Sequence, residues 1–506
     1  MRSRSERTVT AGLAAIALTI WAVPGAGADP IPEEPTSDPP PQFIGKQAST
    51  DPVSLHAAPR PPRHPFMARN DDSNIHDDAF QTDTADRPGP RGRNMERVSF
   101  FENAAECATV TFDRKDRIET VCVGADRPTL KLKHPRTLET LASYQLPPRE
   151  PGGGNPFTDF SGGGYFYLDH RDRAVVVTTN RHLYVIGQTD EPDFELRRDY
   201  DLNPFVDSDD KLVAAMPDWN GLIWVVSRKG VIVTVDPASK TIRSLDTEEP
   251  IGNSFAVDDT GGVFIVTDEA LYRFDADRRG RPQVTWRRVY ENDGTVKPGQ
   301  TQEGSGTTPT LMGDDFVAIT DNAPSRINVV IYRRGKKVDG DRKVCRQPVF
   351  APGMSSTDNS LIGTARSLVV ENNFGYTGPS ATTEGRSTAP GIWRIDLDRD
   401  GRGCHVEWRN DDERSPSVVP KLSLHNGLVY VYTKPPGDEQ DPWYLTALRF
   451  EDGKVIYKQL AGRGLGFNNN YAPLSIGPDG TAYVGVLGGL VALRDDKRPK
   501  PQDRRR

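Results

Sequence analysis

From residue 107 to 495 the chain repeats a unit of roughly 40 to 55 residues, the period at which propellers are to be suspected first. The clearest copies are "MPDWNGLIWVVSRKGVIVTVDPASKTIRSL", "VDDTGGVFIVTDEALYRFDADRRGRPQVTWRRV" and "IGPDGTAYVGVLGGLVALRD". Each opens on a turn rich in Asp, Asn and Gly, then alternates β-branched or aromatic runs with short loops, as a four-stranded antiparallel sheet requires. No stretch sustains a 3.6-residue period, and 46 Gly with 42 Pro interrupt the chain every few residues. The expected fold is therefore all-β: a β-propeller of eight four-stranded antiparallel blades, seven being the alternative count. The copies fall near 107–147, 162–202, 210–249, 251–292, 306–350, 357–410, 417–462 and 468–495. The last stops after three strands, and "MERVSFF" before the first copy is strand-like, so an early strand completes the final sheet and leaves no long edge.

"GIWRIDLDRDGRGCHVEW" and "GGLVALRD" resemble the third-to-fourth strand segment of quinoprotein-like propellers, with Trp286 and Trp408 at the outer-strand place. The resemblance implies the propeller fold across most of 107–495. Copies ending "TIRSL" and "VIYKQL" lack that Trp, and no adjacent Cys-Cys pair is present, which the alcohol dehydrogenases of that superfamily place beside pyrroloquinoline quinone (PQQ). It therefore carries the fold and not the cofactor.

The first 28 residues read as an export signal: Arg2, Arg4 and Arg7 precede an apolar run from Ala11 to Val23 and the small-residue site Ala26-Gly27-Ala28. That run is shorter than the roughly 20 residues of a spanning helix, so a secreted protein without a membrane span is expected. Residues 29–95, with "IPEEPTSDPPPQ" and "PRPPRHPF", have the composition of a disordered linker; 96–496 form the propeller and 497–506 a basic, solvated tail. The net charge is −7, more negative still without the signal, which speaks against nucleic-acid binding. A monomer is expected. Export makes disulfides the default for the four cysteines. Cys107 and Cys122 flank a hairpin, and Cys345 and Cys404 occupy similar places in consecutive repeats.

The fold sorts polar residues by face. Turns joining strands one and two emerge on one face, whereas loops joining strands two and three, blade connections and inner-strand starts meet on the other, here called the top. Asp169, His170, Asp218, Trp219, His425 and Asn426 fall at first-to-second turns, where turn chemistry explains them. With His170 and His425 at such turns, His182 starting a strand, His405 on an outer strand and the rest preceding or belonging to the first blade, a Ser-His-Asp hydrolase has little support and a four-histidine iron centre less. Oxygen-bearing residues remain at the top. Glu371, Asn372, Asn322 and Asn470 are the candidate ligands of a calcium ion, which takes six to eight oxygens. Asp321 and Asp358 are the candidate base or nucleophile. Asn253, Asn359, Asn373, Tyr376, Asn469 and Tyr471 are further binding candidates, and the long loops 147–164, 291–308 and 374–390 are candidate covers. Such Asn- and carboxylate-rich centres resemble those of paraoxonase, gluconolactonase and squid-type phosphofluoridase propellers, which normally have six blades. The leading expectation is a calcium-dependent enzyme acting on an ester, lactone or related small molecule. A PQQ dehydrogenase and a non-catalytic carbohydrate- or protein-binding propeller are the alternatives.

Overall fold

The computed structural model describes residues 41–49, 51–53, 60–69, 72–102, 105–124, 127–149, 159 and 161–496. The export signal, the basic tail and most of the 147–164 loop lie outside the described residues. Eight antiparallel sheets follow one another along the chain, and each contains four strands in consecutive spatial order. Blade eight takes three strands from residues 474–494, and Glu96–Phe101 joins them in antiparallel register with Gly489–Arg494. The strand ahead of the first repeat thus closes the ring.

Within a blade, burial falls from the axis outward. The second strand of blade three, Ile223–Ser227, is buried at every position, whereas the outer strand of blade two, Phe194–Asp201, exposes most of its residues. Neighbouring blades share apolar clusters: Val175 and Val177 of blade two pack in one cluster with Trp224 and Val225 of blade three and Ile265 of blade four. The recurrent Asp at the first turn has a backbone task. Asp113, Asp169, Asp218 and Asp258 each accept from the amides two and four residues ahead, as in Asp218 with Asn220 N at 2.8 Å and Leu222 N at 3.1 Å.

Residues 72–85 depart from the expected disordered linker. Almost all of them are buried, including Asp72, His76, Asp77, Gln81 and Asp83 at 0 to 2 % exposure. This segment runs as a belt around the inside of the ring. Its carbonyls accept the amides of inner-strand residues: Ser73 O from Leu168, Ala79 O from Val257, Phe80 O from Leu311, Thr82 O from Gly363, and Asp83 O from Leu422. Blades two, four, five, six and seven are joined in this way. Composition misleads here because the belt is held by backbone hydrogen bonds to otherwise open strand edges as much as by its few apolar side chains, Ile75, Ala79 and Phe80, which are buried. Thr84–Ala85 then pairs parallel with the inner strand of blade seven, and Phe43–Gly45 pairs with its outer strand.

Cys107–Cys122 bridges adjacent strands of blade one, and Cys345–Cys404 joins the outer strands of blades five and six. Two disulfides suit an oxidising compartment. Among the described residues no helix is long and apolar enough to cross a membrane.

Candidate functional site: an axial cavity

Inner-strand starts from several blades surround a cavity of about 340 Å³ at the top of the axis. Asn253, Asp358, Asn359 and Tyr471 line it, together with Glu106, Tyr165, Arg228 and Ser360. Ile75 and His76 of the belt also line it. Asp209 and Lys229, at 73 % and 51 % side-chain exposure, pair with each other where the cavity meets solvent.

Two carboxyls in this wall are held toward the neutral form. Burial pushes Glu106 up to about 8, against the opposing bond from Asn470 Nδ2 to Oε2 at 3.1 Å. Its Oε1 has no hydrogen-bond partner among the described residues. Burial also raises Asp358 to about 6, although Thr301 Oγ1 donates to it at 2.8 Å. Thr301 comes from the 291–308 loop, whose Gly299 has φ of 103° and approaches Asn373 so closely that a Cβ would sit 2.3 Å from its carbonyl oxygen. Only glycine fits that contact.

The expected calcium ligands do not converge. Glu371 is buried against donors: Asn359 Nδ2 at 2.5 Å and Asn373 Nδ2 at 3.2 Å reach Oε1, and Ser415 Oγ reaches Oε2 at 2.6 Å. Burial pushes its carboxyl up to about 8 despite those bonds. Asn372 ties a turn, with Oδ1 accepting from Ser356 and Phe374 and Nδ2 donating to the carbonyls of Met354 and Pro390. Asn322 Nδ2 donates to Asn292, Asp293 and the Thr295 carbonyl within the neighbouring loop. Asn470 Oδ1 accepts from the Tyr376 hydroxyl at 3.1 Å. These groups belong to separate hydrogen-bond sets, and nitrogen rather than oxygen faces the carboxylate. The set does not fit a calcium ion, which requires converging oxygens. Among the described residues no three His, Cys, Asp or Glu side chains group as metal ligands.

The remaining candidates divide similarly. Asp321 is taken up by Asn328 and by Arg346 Nε at 3.0 Å, a structural anchor between strands two, three and four of blade five. Asn469 donates to the carbonyls of Ala472 and Gly485, and Asn373 Oδ1 accepts from Thr357 Oγ1 and Asp358 N. Tyr376 stacks edge-on against Tyr471 with ring centroids 5.2 Å apart. PQQ carries three carboxylates, whereas the wall presents Glu106, Asp159, Asp209, Asp210 and Asp358 against Lys211, Arg228 and Lys229, and Lys211 and Lys229 already pair with Asp159 and Asp209. A wall whose lysines are already paired, and whose described lining residues include no cysteine, does not fit that cofactor.

Sequence reasoning missed the cavity floor. His76 Nδ1 lies 3.1 Å from each carboxylate oxygen of Asp83, and His76 Nε2 lies 3.2 Å from Ser360 Oγ. Asp83 Oδ1 also accepts from Lys421 Nζ at 2.6 Å, and Lys421 lies 3.3 Å from Asp77. The signal that could have found these residues is "SNIHDDAFQTD", where His and three acidic residues sit unusually close in a segment otherwise marked by Pro and Arg.

No family model matches the chain. A protein of Archaeoglobus fulgidus described as uncharacterized is 28 % identical over 364 residues, covering 65 % of this chain and 70 % of that protein. Among solved structures, a streptogramin B lyase is similar at 9 % identity with TM-score 0.39, covering 80 % of this chain and 98 % of that one. The computationally designed Ika8 protein is similar at 10 % identity with TM-score 0.47, covering 80 % and 100 %. None of these likenesses carries an argument about function.

Proposed function

We propose that the protein is an exported small-molecule hydrolase whose axial cavity receives a neutral ester or lactone. The observation that carries this reading is Glu106: a carboxyl buried in the cavity wall, neutral at physiological pH, with one oxygen lacking any partner among the described residues. Such a group has unmet hydrogen-bonding capacity, and in its neutral form it supplies an O–H donor suited to a carbonyl oxygen. With Lys211 and Lys229 already paired to Asp159 and Asp209, the wall has among the described residues no cluster of unpaired cations to attract an anion, and a volume of about 340 Å³ suits a small molecule. Export is supported by the two disulfides and by the sequence of the first 28 residues.

The test is calorimetric titration with δ-valerolactone at pH 6 and pH 9. Glu106 is protonated at the lower pH and ionised at the higher, so binding is expected to weaken about tenfold or more at pH 9. Glu106→Gln keeps a donor and is expected to bind equally at both values, while Glu106→Ala binds poorly at both. Absence of lactone binding, or full binding by Glu106→Ala, would overturn the reading.

A further inference from the structure

The geometry points to Ser360, His76 and Asp83 as a nucleophilic triad at the floor of the cavity, which makes the substrate an acyl ester or lactone attacked by serine. This inference rests on the reading of the cavity as a site for a carbonyl compound, and it adds the reacting group.

The arrangement meets the requirements of an activated serine. Asp83 faces His76 Nδ1 with both oxygens at 3.1 Å, which places the ring proton on Nδ1 and leaves the Nε2 lone pair directed at Ser360 Oγ, 3.2 Å away. The Lys421 ammonium at 2.6 Å holds the Asp83 carboxylate, and the His76 amide donates to Asn74 Oδ1 at 2.7 Å, so base and orienting group are both fixed. Ser360 and His76 line the cavity, whereas Asp83 is fully enclosed at 0 % exposure. A polar cluster whose only task was to fill the channel would have no need to present serine and imidazole to an open space.

The backbone agrees with a functional constraint. Asp77, Gln81 and Asp83 have φ of 71°, 58° and 53°, three non-glycine residues in the left-handed region within seven positions. Each such residue is held at a free-energy cost, and such residues gather at active sites. The three triad members come from two distant segments, the belt and the start of the inner strand of blade six, which meet only in the folded ring.

The reaction balances without a further reagent than water. Ser360 Oγ bonds to the acyl carbon as its proton passes to His76 Nε2 and the carbonyl electron pair moves onto oxygen. Collapse of the adduct breaks the bond from acyl carbon to alkoxy oxygen, and the departing alkoxide takes the proton from Nε2. Water then attacks the acyl-serine, gives a proton to Nε2, and the carbon–Oγ bond breaks as that proton returns to Ser360. Acid and alcohol leave; in a lactone they remain one molecule.

The experiment treats the full chain with an ethoxy fluorophosphonate probe and maps adducts by mass spectrometry, alongside p-nitrophenyl acetate hydrolysis. An adduct on Ser360 is expected, absent from Ser360→Ala, formed about 100-fold more slowly in His76→Gln, and suppressed in the unsubstituted protein by excess δ-valerolactone. Hydrolysis is expected to fall about a thousandfold or more in Ser360→Ala, which removes one oxygen and leaves His76 and the belt in place. A protein that binds δ-valerolactone but gives no Ser360 adduct would overturn the triad and leave the cavity reading standing. A protein that neither binds lactone nor reacts would overturn both. Should His76→Gln fail to fold, lactone protection of the unsubstituted protein decides: labelling of Ser360 that lactone does not slow counts against the proposal.

Discussion

Asn359 turns its amide nitrogen toward Glu371, and that orientation separates a satisfied buried acid from a metal ligand. The same amide reaches the Val418 carbonyl at 2.9 Å, so its hydrogens serve two acceptors. Glu371→Gln should therefore be tolerated within about 1 kcal/mol, since an amide can accept from the two asparagines and donate to Ser415 Oγ, whose own proton can turn to the Tyr432 carbonyl. Glu371→Ala should cost about 2–4 kcal/mol, from the lost volume and two amides left without an acceptor. Urea unfolding of both variants measures the difference, and an equal loss in the two would contradict this account. "ENNFG" announced its chemistry in the sequence only as to type: carboxylate and amides at a strand end. Which atom of each amide faces inward depends on Ser415 and Val418, more than forty positions away, and no local pattern encodes it.

Elements with local causes were legible. The first turn of each blade follows from an Asp that caps its own backbone, and strand alternation follows from burial that declines outward, so the eight copies and the closing strand could be read from spacing alone. The cysteine positions were legible for a related reason, since equivalent places in consecutive repeats lie side by side. The Cys345–Cys404 bridge closes a separation of 59 residues, and its removal by paired Ala substitutions is expected to lower stability by up to about 4 kcal/mol. A reductant should then lower the urea midpoint of the paired variant by less than that of the unsubstituted protein; equal shifts would show that this bridge contributes nothing. The belt was not legible, because its partners are amides of five separate blades and its own side chains show no period. His76 and Asp83 were lost with it.

At the scale of the molecule, buried acids set the response to pH. Burial raises Glu106, Glu119 and Glu371 each to about 8, well above the value of an unfolded chain. Between about pH 4.5 and pH 8 the folded protein keeps protons that the unfolded chain has released, so stability falls as pH rises, by at most about 1.4 kcal/mol per pH unit for each group. Urea midpoints at pH 6 and pH 8 should show the decline, and Glu119→Gln, remote from the cavity, should reduce it; a midpoint that rises across this interval would refute the assignment. The belt has a consequence for how the molecule is made. It leaves the ribosome before any of the blades it joins, yet its hydrogen-bonding partners extend to Leu422 and the ring is sealed only when Gly489–Arg494 pairs with Glu96–Phe101. A part synthesised ahead of the blades is thus among the last to find its place. A nascent segment that must wait through some three hundred further residues is safest when it is polar and charged, which is the composition that in the sequence resembles a segment with no structure at all.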